Sequence, residues 1–259
     1  MATIHFLGTC SGTEPIEGMH HASLIIEAGG LVYWFDAGEN CAYRAYLSGV
    51  DLLKTRAIFL SHMHIDHVDG MPNLLFCIEK MICLKRGFVA KDNTVDIVAP
   101  DLDVLHAIKS VACNNVSDHS SLRFLTRDTK TFDGVVYEDE NLRVTARHNT
   151  HLSEDGSSGW HAYSFLIETE GKRIVHSGDV GEIEELNPLI GDGCDLLIME
   201  TGHHKVEHVC EFAKAHHIQR LRFQHHGREI INDREGMEAL VASYPFDYKI
   251  AYDGLKEEI

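Results

Sequence analysis

Four strong ligand residues, His62, His64, Asp66 and His67, fall within six positions directly after the apolar run 57–60. In extended backbone at a strand end, His62 and His64 are two apart and project to the same side. The turn that follows can swing Asp66 and His67 toward a second point. Imidazole and carboxylate donors so grouped suit divalent metal ions, and one segment can serve two adjacent ions. The competing reading is a helix-capping turn, with Asp66 as cap and the histidines solvated. Capping needs one such residue, and the segment carries four.

Other chemistry-bearing residues stand at the ends of apolar runs. Ser177-Gly178-Asp179 delivers an acid, and Leu221-Arg222-Phe223-Gln224-His225 delivers a histidine that His226 follows directly. His148 and His151 both stand at the end of the stretch 144–151. In Met199-Glu200-Thr201-Gly202-His203-His204 the first part ends a strand pattern, and the helical spacing 206–215 follows it. A His pair at a helix N-terminus is disfavoured when protonated, unless an anion such as phosphate lies nearby. The plainer reading of that pair is exposed and idle. His204, His208, His216 and His217 read as helix-surface residues, and His20-His21 as a turn near a site or an exposed one. Trp34 lies inside a strand pattern and reads as core. Trp160, after the Gly-Ser loop 155–159, is a candidate substrate contact, and Cys77 and Cys83 read as helix packing.

The elements that must carry these residues are short. Strand patterns, rich in β-branched and aromatic residues, fall at 4–7, 22–27, 31–35, 57–60, 96–99, 142–146, 163–168, 173–175, 196–199, 221–223 and 248–250. Helical spacing fits 40–47, 68–82, 102–111, 183–190, 206–215 and 234–241. Strand clusters with interspersed helices predict sheets inside and helices outside, an α/β (α+β) class. With no repeat, low-complexity segment or long linker in 259 residues, one domain over 1–259 is expected.

Composition narrows the partners. Lys plus Arg total 23 against 40 Asp plus Glu, a formal charge of −17. That balance argues against a broad basic surface for nucleic acid, which needs cations to neutralise phosphates. It leaves room for a small anion held by metal ions, whose charge dominates a site locally. No run approaches ~20 apolar residues, so no membrane span is expected. The opening MATIHFLGTCSG lacks a basic leader and enters a strand pattern at once, so it does not read as a signal peptide. Seven scattered cysteines without a C-x-x-C pair predict reduced thiols and a cytoplasmic setting.

The segment His62-Met63-His64-Ile65-Asp66-His67 resembles the H-x-H-x-D-H motif of the metallo-β-lactamase superfamily. Phe6-Leu7-Gly8-Thr9-Cys10-Ser11-Gly12, Phe35-Asp36-Ala37-Gly38-Glu39 and Ser177-Gly178-Asp179 are similar to flanking motifs of its ribonuclease Z-like branch. The resemblance runs in order from residue 4 to 225. It implies an αββα sandwich of the metallo-β-lactamase type, with a dinuclear site at one edge of the sheets. By the same resemblance His62, His64 and a third His hold one metal, and Asp66, His67 and His225 the other, with Asp179 bridging. Aligning Val144 and Ala146 with the family's strand puts the third ligand on His151, with His148 a neighbour that faces substrate. Zinc suits these donors, and manganese, iron or cobalt meet the same residue types.

The resemblance also implies a reaction. Two metals about 3.5–4 Å apart polarise phosphoryl oxygens and activate water near neutral pH. His203, 22 residues before His225, matches the position of the branch's catalytic His, a general acid or phosphate-binding group. Asp66 doubles as partner of the attacking water. Members that process tRNA carry a long basic arm, whereas the 23 residues 180–202 between Asp179 and His203 are acidic. The chain looks more like arm-less relatives that cleave small, often cyclic, phosphodiesters, acting as homodimers. The other readings are a tRNA 3′-end endonuclease gripping through a second subunit, a lactone or thioester hydrolase, and a non-catalytic metal-binding sensor.

Overall fold

The structure is a computed structural model and describes residues 1–84, 87–113, 122–153, 156–157 and 159–259. The loop expected at 155–159 therefore lies partly outside the described residues, as does the side chain of Cys113. The chain forms two compact units: residues 1–8, 20–131 and 254–259, and residues 9–19 and 132–253. Each unit is built on one seven-stranded sheet.

The first sheet contains β1 (Thr3–Gly8), β2 (Ser23–Ala28), β3 (Leu31–Ala37), β4 (Thr55–Phe59), β5 (Thr94–Ala99), β6 (Leu125–Lys130) and, at its far edge, β14 (Lys256–Glu258). The order is β14-β1-β2-β3-β4-β5-β6. Pairing is antiparallel from β14 to β3 and parallel from β3 to β6. The second sheet contains β7 (Gly134–Glu138), β8 (Leu142–His148), β9 (Tyr163–Thr169), β10 (Lys172–His176), β11 (Leu196–Glu200), β12 (Arg220–Gln224) and β13 (Asp247–Ile250). Its order is β13-β12-β11-β10-β9-β8-β7, antiparallel from β7 to β10 and parallel from β10 to β13. The two sheets thus share one pattern, an antiparallel meander leading into parallel strands.

The parallel strands read as they do because both faces are covered. Every residue of β4 and of β11 is buried, so the apolar stretches Ala57-Ile58-Phe59 and Leu196-Leu197-Ile198-Met199 run without alternation. In the first unit Trp34, Ile58, Leu74, Ile78 and Ile97 anchor the core, and Trp34 Nε1 donates to Thr55 Oγ1 at 3.1 Å. In the second, Leu197, Met199, Val209, Leu221 and Phe223 do so, with the helix Val206–Ala215 packed by Val206, Val209, Cys210 and Ala213. Burying each such side chain contributes on the order of 1.5–3 kcal/mol.

All eleven expected strands form, most of them longer by one or two residues. Three others, β6, β7 and β14, lie at sheet edges: LTRDTK and KEE lack the apolar signature and leave side chains to solvent, whereas GVVYE is a short apolar run that the sequence reading did not include. Expected helix 68–82 forms as two pieces, Ile65–Val68 and Met71–Cys83. Pro72 fits the first turn of the second piece, and a Cβ on Gly70 would lie 2.0 Å from the Gly38 carbonyl oxygen. Asp66 and His67 consequently sit on a helical turn rather than in the turn before a helix. Expected helix 183–190 likewise splits, into a 3₁₀ turn Ile183–Leu186 and a short helix Asn187–Ile190.

Candidate functional site

In the first unit the ligand-type residues follow β4, beside the end of β3. His62, Asp66 and His67 are buried, and His64 is exposed. The ring centroids of His62 and His64 lie 4.6 Å apart, and those of His62 and His67 4.1 Å apart. Asp36, at the end of β3, organises this turn. Its Oδ1 accepts the Ser61 backbone N–H at 2.7 Å, and its Oδ2 accepts Ser61 Oγ–H at 2.8 Å. His67 Nδ1 lies 2.8 Å from the same Oδ2, a bond that fixes Nδ1 as the protonated nitrogen. The other ring nitrogen, Nε2, then faces the Asp66 carboxylate at 3.4 Å.

Asp36 adopts a left-handed backbone, φ 58°, uncommon for a residue with a side chain. The surrounding bonds hold it there, so its reach to Ser61 and His67 is built in. The sequence reading had Asp36 only as part of a flanking motif. Its signal was an acid closing the apolar run Val32-Tyr33-Trp34-Phe35.

In the second unit, β8, β10, β11 and β12 all run in one direction, so their carboxyl ends meet at one sheet edge. They carry His151, Asp179, Glu200 and His225 respectively. His225 Nδ1 lies 3.2 Å from Asp179 Oδ1, and His151 Nε2 lies 3.7 Å from Asp179 Oδ2. His203 Nδ1 stands 3.9 Å from that Oδ2, and its ring centroid is 4.7 Å from that of His151. Like Asp36, His225 has a left-handed backbone, φ 50°. Gly202 makes room for its ring, since a Cβ there would come within 2.7 Å of His225 Nδ1.

Glu200 is the residue of this group to which the sequence reading gave no role. It is buried, and its two oxygens receive the backbone N–H and Nδ1 of His203, each at 2.9 Å. Burial raises its pKa, but the hydrogen bonds from His203 and His225 outweigh that and hold the carboxyl at about 2. Conversely, the hydrogen bond to Glu200 lifts His203 above its ordinary value, against the opposing effect of burial. An acid closing an apolar strand, as Asp179 does one strand away, was the available signal.

His204 is not the helix-surface residue expected. It is half-buried, and its Nε2 donates to the Val180 carbonyl at 3.0 Å, tying the turn after Asp179 to the head of the next helix. His208 and His217 are exposed as expected, while His216 packs on Phe212. His148 lies apart from this cluster's hydrogen bonds: Asp133 Oδ2 pairs with its Nδ1 at 2.7 Å, and its ring stacks on Trp160 at 3.8 Å. His226 is fully enclosed, its Nε2 donating to the Ala251 carbonyl at 2.9 Å, and burial pulls its pKa down to about 3. A neutral imidazole so occupied serves the fold, in contrast with His225. In the first unit His21 is half-buried, its Nδ1 3.9 Å from Asp69 Oδ2.

The donor set of the second unit fits a cation. Asp179, Glu200, His203 and His225 offer donor atoms within 4.8 Å of one another, and three of the four are buried; Glu200 and His203 are bonded to each other, so Asp179 and His225 are the two that this pair leaves to a cation. Nitrogen and carboxylate donors are those that divalent metal ions take.

Residues 34–227 match the model of the beta-lactamase superfamily domain. The chain belongs to the beta-lactamase superfamily. It is 29% identical over 152 residues to ribonuclease Z of Methanothermobacter thermautotrophicus, an overlap of 58% of this chain and 45% of that protein. The match to such curated relatives thus spans about half of their length. Among solved structures, the metallo-beta-lactamase fold protein YhfI from Bacillus subtilis superposes with a TM-score of 0.73 at 17% identity, covering 99% of this chain and 98% of that one. A diphosphatase from the PhnP family superposes with a TM-score of 0.68 at 15% identity, over 100% and 98% of the two chains. The fold expected from the motifs, that of the metallo-β-lactamases, is the fold observed. Among the described residues, no helix is long and apolar enough to cross a membrane.

Proposed function

We propose that this protein is a metal-dependent hydrolase that cleaves small phosphodiesters, cyclic nucleotides among them. His62, His64, Asp66, His67, His151, Asp179 and His225 are the residues that would hold the metal. The observation that carries the reading is the Glu200–His203 pair beside Asp179 and His225, a held imidazole at the rim of a buried donor cluster. Two divalent ions, zinc by donor type, would supply Lewis acidity and an acidified water.

The chain's own groups do the rest. Asp36 keeps His67 in the tautomer whose Nε2 is available as a donor. Asp66 accepts a hydrogen bond from the attacking water and orients it. Glu200 holds His203 through Nδ1, so that Nε2–H is presented to the leaving group. When the P–O bond breaks, that proton passes to the departing alkoxide, a transfer that becomes important when the alkoxide is a poor leaving group. Similarity to a ribonuclease Z supports phosphodiester chemistry, and the acidic stretch 180–202 with a net charge of −17 favours a small substrate over tRNA. We read the protein as a cytoplasmic homodimer; the described cysteines, all free thiols, agree with a reducing compartment.

A panel of cyclic nucleotides, bis(p-nitrophenyl) phosphate, lactones and pre-tRNA, run with measured metal content, tests this reading. Turnover of the small diesters with slow or absent pre-tRNA cleavage is expected. Efficient, position-specific cleavage of pre-tRNA would replace it with the endonuclease reading that the ribonuclease Z relatives favour.

A further inference from the structure

Asn149 lies just past the end of β8 and is 1% exposed. Its Oδ1 accepts the backbone N–H of His151 at 3.0 Å. Its Nδ2 donates to the backbone carbonyl of Asp179 at 2.9 Å and to Ser164 Oγ at 3.1 Å. Ser164 Oγ in turn donates to the Ser177 carbonyl at 2.6 Å, and the Asn149 backbone N–H is taken by the Ala162 carbonyl at 3.0 Å. The amide orientation follows from these partners. Turned over, it would set an oxygen against the Asp179 carbonyl and an NH₂ against an N–H. A carboxamide alone offers an acceptor and two donors on one rigid plane, so no other side chain of this size fits all three bonds.

The bond to His151 by itself is a local turn. The bond to Asp179 crosses 30 positions of sequence and joins two loops that leave different strands. We propose that Asn149 is a positioning residue, whose single carboxamide fixes the backbone of His151 relative to that of Asp179 and so sets the spacing of their side chains for metal. The inference rests on reading His151 and Asp179 as ligands. A side chain that served only stability would lower the melting temperature and leave the metal site as it was. A positioning role changes the site itself.

The test compares wild type, Asn149→Ala and, as a destabilised control remote from the site, the core variant Val241→Ala. Each full-length chain is stripped of metal and titrated with Co²⁺, reading the visible ligand-field spectrum, and with Zn²⁺ against a chromophoric chelator. Asn149→Ala is expected to bind Zn²⁺ ~10–100-fold more weakly, the loss typical of removing a group that orients a ligand, and to shift the Co²⁺ spectrum. Val241→Ala is expected to lose stability with neither change. Wild-type affinity and spectrum in Asn149→Ala overturn the inference, as does an equal loss in Val241→Ala. A wild-type chain that takes up no Co²⁺ overturns the ligand reading itself, a result distinguishable from both. Should Asn149→Ala not fold, Asn149→Ser, which keeps a polar group but cannot span both bonds, is read in the same way.

Discussion

His151 Nε2 lies 3.7 Å from Asp179 Oδ2, whereas His148, three positions earlier, is paired through Nδ1 with Asp133 at 2.7 Å. The two histidines therefore stand in different surroundings. His151→Ala should deplete the metal and abolish turnover, whereas His148→Ala should leave metal content nearly intact. Elemental analysis of the two variants, purified side by side without chelator, distinguishes them, and the reverse pattern would move the ligand to His148.

The proposed ligand set has a stoichiometric consequence. With His62, His64, Asp66, His67, His151, Asp179 and His225 as donors, about two divalent ions should bind per chain. Treatment with a chelator should remove activity, and added zinc or manganese should restore it. A protein fully active with no transition metal would end the metal-dependent reading.

Much of the candidate site was legible because its residues break the local pattern. His62 to His67 interrupt an apolar strand end with four donors, and Asp179 and His225 close strands in the same way. Asp36 and Glu200 carry the same signature of an acid after apolar residues, yet each acts through a partner: Asp36 through Ser61 and His67, Glu200 through His203. Such roles depend on which strands become neighbours, and no local pattern states that. Asn149 was invisible for the same reason, since its partner is 30 residues away. Edge strands were missed because β6 and β14 gain their backbone bonds from a neighbour while their side chains remain polar.

A stability prediction concerns the second sheet. Arg222 is 1% exposed, and its guanidinium donates to Asp247 Oδ2 and to the Asp247 carbonyl, each at 2.7 Å. Burial raises the Asp247 pKa, but the hydrogen bonds from Arg222 and Lys249 outweigh it and leave the carboxyl below its ordinary value. A depressed folded pKa means stability that is present above the unfolded pKa and lost as pH falls through the folded one. Asp247→Asn should therefore cost roughly 1–2 kcal/mol at neutral pH, discounted because the acid is partly exposed. The gap to wild type should shrink in acid. Chemical denaturation at several pH values measures it, and a gap that widens as pH falls would contradict the sign.

His203 carries the proton in the proposed reaction, and the choice of leaving group can isolate that step. Glu200 receives both its backbone N–H and its Nδ1 at 2.9 Å, so the ring is held while 44% of the side chain stays exposed. A group so placed can reach a substrate without being taken up as a ligand. His203→Ala should keep the metal content but lower kcat by ~10²–10⁴-fold for diesters whose leaving group is a poor alkoxide. A nitrophenolate departs without a proton, so hydrolysis of bis(p-nitrophenyl) phosphate should suffer much less. Equal losses on both substrates would mean that His203 binds the phosphate rather than protonating the leaving group. No loss on either would return His203 to an exposed position at a helix start and pass the proton's delivery to another group.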